Sequence, residues 1–126
     1  MQEQLKINLV DFRSSITHTM VFAQILPDGE LFVDGFDSGS LPVSDIWDDD
    51  VEYAISVPSE VKGKLRAILI EVLQAEERTF VNDPDISADE NLLHLLAFVY
   101  QGRLSTFDEF KSLVEKKEIK HSFWWG

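Results

Sequence analysis

A junction between a strand and a helix, within residues 45–73, places the strongest constraint on the fold. The run at residues 51–57 is apolar and β-branched in its second half, which predicts a strand, and Pro58 then ends it. Ser59 is predicted as the N-cap of the helix that follows. Apolar residues then recur at helical spacing, and this stripe must cover one face of a sheet. The stripe consists of Val61, Leu65, Ile68, Leu69, Val72 and Leu73.

The residues before this junction predict three further strands. Apolar and polar residues alternate at residues 5–9, as in a half-buried strand. Residues 16–26 are rich in β-branched and aromatic side chains, and residues 27–30 have the Pro-Asp-Gly composition of a turn. The chain resumes as a strand at residues 31–33, which predicts a hairpin. The Asp-, Gly- and Ser-rich residues 34–40 are predicted to form a loop.

The residues after the junction predict two more helices and a closing strand. Residues 87–90 form a Ser-x-x-Glu capping box before a strongly apolar helix, which Gly102 is placed to end. Residues 106–109 form a second box, Thr-x-x-Glu, and open a third helix. Residues 119–125 alternate at first and then become aromatic, which predicts a strand. The third helix is predicted to point these residues inward: Phe107, Phe110, Leu113 and Val114.

The order of these elements predicts the fold class. Strands come first along the chain and helices later, which favours an α+β fold over a parallel doubly wound one. A chain of 126 residues is the size of one domain. We therefore expect a single α+β domain over residues 1–126, with a mostly antiparallel sheet of about five strands and three helices packed on one face.

The charge of the chain is strongly negative and unevenly distributed. The formal net charge is −12, which disfavours nucleic acid as a partner because a polyanion repels phosphates. Between Ser14 and Val61 there are ten acidic residues and no Lys or Arg. Such asymmetry predicts a negative surface that steers a basic partner, although acidity can also serve solubility alone.

The predicted contact surface combines the acidic residues of this region with two aromatic ones. Trp47 is a candidate anchor, because an exposed aromatic side chain beside charged residues is unfavourable unless a partner covers it. The predicted partner-binding residues are Asp34, Asp37, Asp45, Trp47, Asp48, Asp49, Asp50, Glu52 and Tyr53.

The sequence predicts neither an enzyme nor a cofactor or metal site. The acidic residues 48–52 are nearly adjacent, so few of them can converge on one cation. His18, His94 and His121 have no metal-ligand spacing and are predicted to be structural. Neither a nucleophile elbow nor a glycine-rich phosphate motif is present.

The aromatic end of the chain has two interpretations. Phe123, Trp124 and Trp125 can close over the core as the last strand, each burying roughly 150–250 Å². They can equally be a binding anchor, since aromatic side chains dominate interface hot spots. The first interpretation is favoured at this point.

Four patterns together resemble a group of small, acidic bacterial proteins, some of which are similar to immunity proteins that neutralise toxins. These patterns are DGFDSG at residues 34–39, WDDDVEY at 47–53, FDEF at 107–110 and IKHSFWW at 119–125. The resemblance implies an acidic inhibitor of a basic toxin domain, and it supplies no catalytic residue.

Three functions follow as hypotheses. The first is a protein-binding module, in the form of an immunity protein. The second is a structural or self-assembling domain that pairs through an exposed sheet edge. The third is a small divalent-metal protein or enzyme. The absence of cysteine, of a signal-peptide pattern and of a membrane-length apolar run predicts a cytoplasmic location without membrane association.

Overall fold

The structure, a computed structural model, describes residues 5–14, 17–39, 51–100 and 103–125. All neighbouring strands in it are antiparallel, in the spatial order β1-β2-β3-β4-β5, and the sheet is not closed into a barrel. The predicted α+β class is confirmed. The strands are β1 (Leu5–Arg13), β2 (Thr17–Ile25), β3 (Leu31–Gly39), β4 (Val51–Val57) and β5 (Ser122–Trp125). The helices are α1 (Lys62–Ala75), α2 (Ala88–Tyr100) and α3 (Thr106–Lys116).

One face of the sheet is buried beneath the helices. Val33 on β3 lies opposite Ile55 on β4, and both are fully buried. They share one hydrophobic core with Leu69 of α1 and Leu96 of α2. Burial of each such side chain stabilises the fold by about 1.5–3 kcal/mol. The sheet and helices are therefore held together by a single apolar layer.

The predicted β2–β3 hairpin is present, and its turn depends on Gly29. The Gly29 N–H donates to the Leu26 carbonyl at 2.8 Å, and the Leu26 N–H donates to the Glu30 carbonyl at 2.9 Å. Gly29 has φ +89°, a conformation that residues with a Cβ rarely adopt.

β3 continues to Gly39, so the predicted loop at residues 34–40 is wrong over residues 34–39. Those residues pair with β2 on one side, and residues 34–37 also pair with β4 on the other. Glycine is uncommon in strands, so Gly35 makes the sequence look less like a strand. In the structure, the ring of Tyr53 occupies the space that a side chain at position 35 would take. A Cβ on Gly35 would lie 1.9 Å from Cε2 of Tyr53. The glycine therefore marks a close approach within the sheet and not a turn.

The predicted helix starts are right in one case and wrong in two. Ser87 accepts a hydrogen bond from the Glu90 N–H at 3.1 Å, as its capping box predicts. Ser59 instead opens a short 3₁₀ turn, Ser59–Val61, and makes no cap hydrogen bond to α1. Thr106 is the first residue of α3 and is fully buried, and Ser105 is the N-cap. Gly102 lies outside the described residues.

The closing strand is present as β5 and pairs antiparallel with β4. α3 precedes it and points Phe107, Phe110 and Val114 into the core, as predicted, while Leu113 is partly buried. The sheet thus has β5 at one edge, with α3 packed above the neighbouring strands.

Candidate functional site

The nine residues predicted to contact a partner divide into two groups. Five of them lie outside the described residues: Asp45, Trp47, Asp48, Asp49 and Asp50. The other four lie on β3 and β4: Asp34, Asp37, Glu52 and Tyr53.

The pleat of the sheet places these four residues on two faces. Tyr53 lies opposite Gly35 on the helix-covered face, and Asp37, two residues after Gly35, lies on the same face. Asp34 and Glu52 occupy the alternate positions and lie on the opposite face. The structure therefore brings Asp37 together with Tyr53, and Asp34 together with Glu52.

On the opposite face, a smaller cavity of about 320 Å³ includes Asp34, Glu52 and Trp124 in its lining. Asp34 is partly buried, and this burial raises the pKa of its carboxyl above the ordinary value. The Gln24 side-chain amide donates to Asp34 Oδ1 at 3.3 Å and acts against that rise. Within the described residues, neither Asp34 nor Glu52 forms an ion pair.

On the helix-covered face, a larger cleft of about 660 Å³ opens between α3 and the ends of β3, β4 and β5. Its size suits one side chain or a small ligand. We name it the aromatic cleft, because four aromatic residues line it together with polar ones. The aromatic residues are Tyr53, Phe107, Phe123 and Trp125, and the polar residues include Asp37, Asp108 and Lys111.

Tyr53 is held firmly in the aromatic cleft. Its hydroxyl donates to Asp37 Oδ1 at 3.0 Å, and its ring meets Phe107 in an edge contact with centroids 4.3 Å apart. Burial raises the pKa of the Tyr53 hydroxyl, and the hydrogen bond to Asp37 and the charges of Asp37 and Asp108 act in the same direction. At neutral pH the phenol therefore keeps its proton, so it acts as a hydrogen-bond donor and not as a base.

The three aromatic residues of β5 are exposed, so the interpretation that they close over the core is wrong. Phe123, Trp124 and Trp125 retain 42%, 52% and 67% of their surface exposed. Phe123 and Trp125 line the aromatic cleft, whereas Trp124 lines the cavity on the opposite face. Trp125 stacks on Tyr53 with centroids 6.2 Å apart and ring planes at 25°.

The charged groups of the aromatic cleft are Asp37, Asp108 and Lys111. Lys111 Nζ lies 4.9 Å from the centre of the Phe123 ring and 3.0 Å from Glu115 Oε2. Asp37 and Asp108 take no part in the ion pairs of the described residues. Among the described lining residues, the acidic groups therefore outnumber the basic one.

Sequence reasoning missed the contribution of α3 to this cleft. It assigned Phe107 to the core, Asp108 to a capping box and no site role to Lys111. Phe107 and Lys111 are four residues apart in a predicted helix. This spacing is visible in the sequence and indicates that the two side chains are neighbours on one side of the helix. Their proximity to Tyr53 depends on how α3 packs against the sheet, and nothing local in the sequence specifies that packing.

The described residues contain no group of three or more His, Asp or Glu side chains that could hold a metal ion. His18 Nε2 lies 2.9 Å from Asp11 Oδ1, and His121 Nδ1 lies 2.6 Å from the Ile119 carbonyl. Both contacts suit the structural role predicted for these histidines. The absence of catalytic activity stays a prediction.

In the described part of the chain, no helix combines the length and apolar character needed to cross a bilayer.

Comparison of the chain with protein-family models, with curated proteins and with solved structures found no match.

Proposed function

We propose that the chain is an acidic binding module for a basic protein partner, acting as an immunity protein that neutralises a basic toxin domain in the cytoplasm. The observation that carries this proposal is the exposed aromatic strand β5 beside acidic groups. Trp125 is 67% exposed next to Asp37, which forms no ion pair with another described residue. Aromatic anchors surrounded by polar groups are typical of interface hot spots.

The charge of the sequence also supports an acidic contact surface. Asp37 on β3 lies opposite Val51 on β4, and Asp37 lines the aromatic cleft. The segment that joins these two strands along the chain, residues 40–50, lies outside the described residues. Five of the predicted contact residues are in that segment. The net charge of −12 would accelerate association with a basic partner, and nuclease toxins are basic where they hold phosphate.

The test is affinity capture from the source lysate at low and high salt, with identification of the captured protein and calorimetry on the purified pair. We expect one basic protein to bind the wild type and to bind more weakly at high salt. Capture should fall for Trp125→Ala and for the triple change Asp48→Asn, Asp49→Asn and Asp50→Asn.

The matched control is Glu71→Gln, which removes one exposed negative charge from α1 without touching the aromatic cleft. It should leave the measured affinity unchanged. A captured protein that binds all of these variants equally would contradict the proposed surface.

Self-assembly is the second candidate, because β5 is an edge strand of the described sheet. An unpaired edge is a template for another strand. Light scattering should then give the mass of a dimer for the full chain and of a monomer when residues 122–126 are removed. This truncation keeps Ile119, which is 2% exposed and belongs to the core. A monomeric full chain would contradict self-assembly.

A further inference from the structure

We infer that the aromatic cleft receives a single arginine side chain of the partner. This inference rests on the proposed function and names the group that the cleft would bind. It depends on three properties of the cleft, which are the arrangement of its rings, the cation that it already holds and the position of its carboxylates.

The rings of the cleft present faces that attract cations. Tyr53 and Trp125 stack nearly parallel, and Phe123 lies 6.5 Å from Trp125, centre to centre. Aromatic faces carry a partial negative charge and bind ammonium and guanidinium groups within about 6 Å of the ring centre, with tryptophan the strongest. Trp125 is the most exposed of these rings, so its surface is accessible to a partner.

The cleft already holds one cation of the protein itself. Lys111 Nζ lies over Phe123 at 4.9 Å, while Glu115 holds the same ammonium group at 3.0 Å. Among the described residues, no cation lies over Tyr53 or Trp125. The stacked pair therefore offers a second cation position, similar in chemistry to the occupied one.

Two carboxylates are near that second position. Asp37 and Asp108 line the cleft, and both are close enough for their charges to act on the Tyr53 hydroxyl. A guanidinium group can stack on a ring and donate to a carboxylate at the same time, because it is planar and carries five N–H donors. An ammonium group is compact and strongly hydrated, so lysine satisfies this geometry less well.

The experiment uses the whole protein and three small probes: N-acetyl-arginine amide, N-acetyl-lysine amide and the neutral isostere N-acetyl-citrulline amide. Binding is followed by the chemical shifts of the tryptophan indole N–H groups and by tryptophan fluorescence. We expect saturable binding of the arginine probe and weaker binding of the lysine probe. The citrulline probe should bind at least tenfold more weakly than the arginine probe, which is about the effect of one cation–π contact with a charged partner.

Variants of the chain locate the probe. The double variant Asp37→Asn and Asp108→Asn should weaken the arginine probe about tenfold, and Trp125→Ala should abolish the saturable shifts. Glu71→Gln, which changes the net charge without altering the cleft, should bind as the wild type does. Lys111→Met should bind the arginine probe at least as well as the wild type, because the competing cation is gone.

Equal binding of the arginine and citrulline probes, or unchanged binding by the double variant, would overturn the inference. Equal affinity for arginine and lysine would overturn the choice of arginine. Capture of a basic partner that loses affinity with Trp125→Ala, combined with no probe binding, would leave the proposed function standing and remove only this inference.

Discussion

At the scale of single residues, the contact between Gly35 and Tyr53 determines whether the aromatic cleft exists. Tyr53 folds across β3 only because position 35 has no side chain, and the same ring lines the cleft. The sequence shows the glycine and the tyrosine but not their register. A glycine among Asp and Ser residues therefore predicted a loop, although it allows a ring to pack against the strand.

Gly35→Ala tests this contact. The new Cβ would lie 1.9 Å from Tyr53 Cε2, so the ring must move, and we expect a loss of about 1–3 kcal/mol in the free energy of unfolding. Urea denaturation measures it. Gly63→Ala is the control, since nothing lies within 4 Å of its new Cβ and helix propensity should raise stability by about 1 kcal/mol. The same substitution is then made in a Tyr53→Ala variant, where the ring is absent. An equal loss of unfolding free energy in that variant would contradict this explanation.

Asp34→Asn tests the partly buried carboxyl on the opposite face. Burial raises the pKa of Asp34 in the folded protein above its unfolded value of 3.8, so the folded state binds this proton more tightly. Its contribution to stability is therefore complete below pH 3.8 and is lost as the pH rises through the folded pKa. We expect Asp34→Asn to be more stable than the wild type at pH 7, with the difference decreasing towards pH 3. Urea denaturation at both values checks this, and a difference independent of pH would contradict it.

At the scale of elements, the strands and helices themselves were largely predictable. Residues 51–57 are a strand because Val, Ile and Tyr suit a pleated sheet and Pro58 cannot continue it. The helix starts were less predictable. Both Ser59 and Thr106 are good N-cap residues, but tertiary contacts place one in a 3₁₀ turn and bury the other.

The end of α3 offers a prediction for an element boundary. Glu118 adopts φ +53°, and the Ile119 N–H donates to the Val114 carbonyl at 2.9 Å, as in a helix ending with a left-handed residue. Glu118→Gly relieves the backbone and removes a negative charge from the negative end of the helix dipole. We expect thermal unfolding to show a gain of about 0.5–1 kcal/mol. Lys117→Gly, where φ is −91°, should show no gain, and equal effects at both positions would contradict the argument.

The aromatic side chains of β5 should contribute little to stability. Trp124 is 52% exposed, so we expect Trp124→Ser to lower the free energy of unfolding by about 1 kcal/mol or less. Phe110 is 1% exposed, and Phe110→Ala should cost about 3–5 kcal/mol. Urea denaturation measures both changes. Comparable losses of unfolding free energy for the two variants would contradict this prediction and would show that the side chains of β5 stabilise the core.

At the scale of the whole molecule, the order of elements in the sequence predicted an α+β fold with helices on one face. The pairing of β5 with β4 was not predictable, because three helices separate the two strands along the chain. That pairing brings Trp125 onto Tyr53 and creates the aromatic cleft. Glu52 was correctly predicted to lie on a strand, whereas Asp34 and Asp37 were predicted to lie in a loop and instead lie on β3. The pleat of β3 places Asp34 and Asp37 on opposite faces.

The molecule therefore separates its stabilising residues from its candidate binding residues. Its core is continuous from α1 and α2 to the centre of the sheet, whereas its exposed rings are concentrated at the β5 edge. A change at that edge should alter binding far more than folding.

Calorimetric titration of the purified basic partner into the Trp125→Ala variant measures this separation directly. We expect an affinity at least tenfold lower than that of the wild type, because Trp125 is the proposed anchor. We also expect a free energy of unfolding within about 1 kcal/mol of the wild type, because Trp125 is mostly exposed. An unchanged affinity for the partner would contradict the proposed role of Trp125.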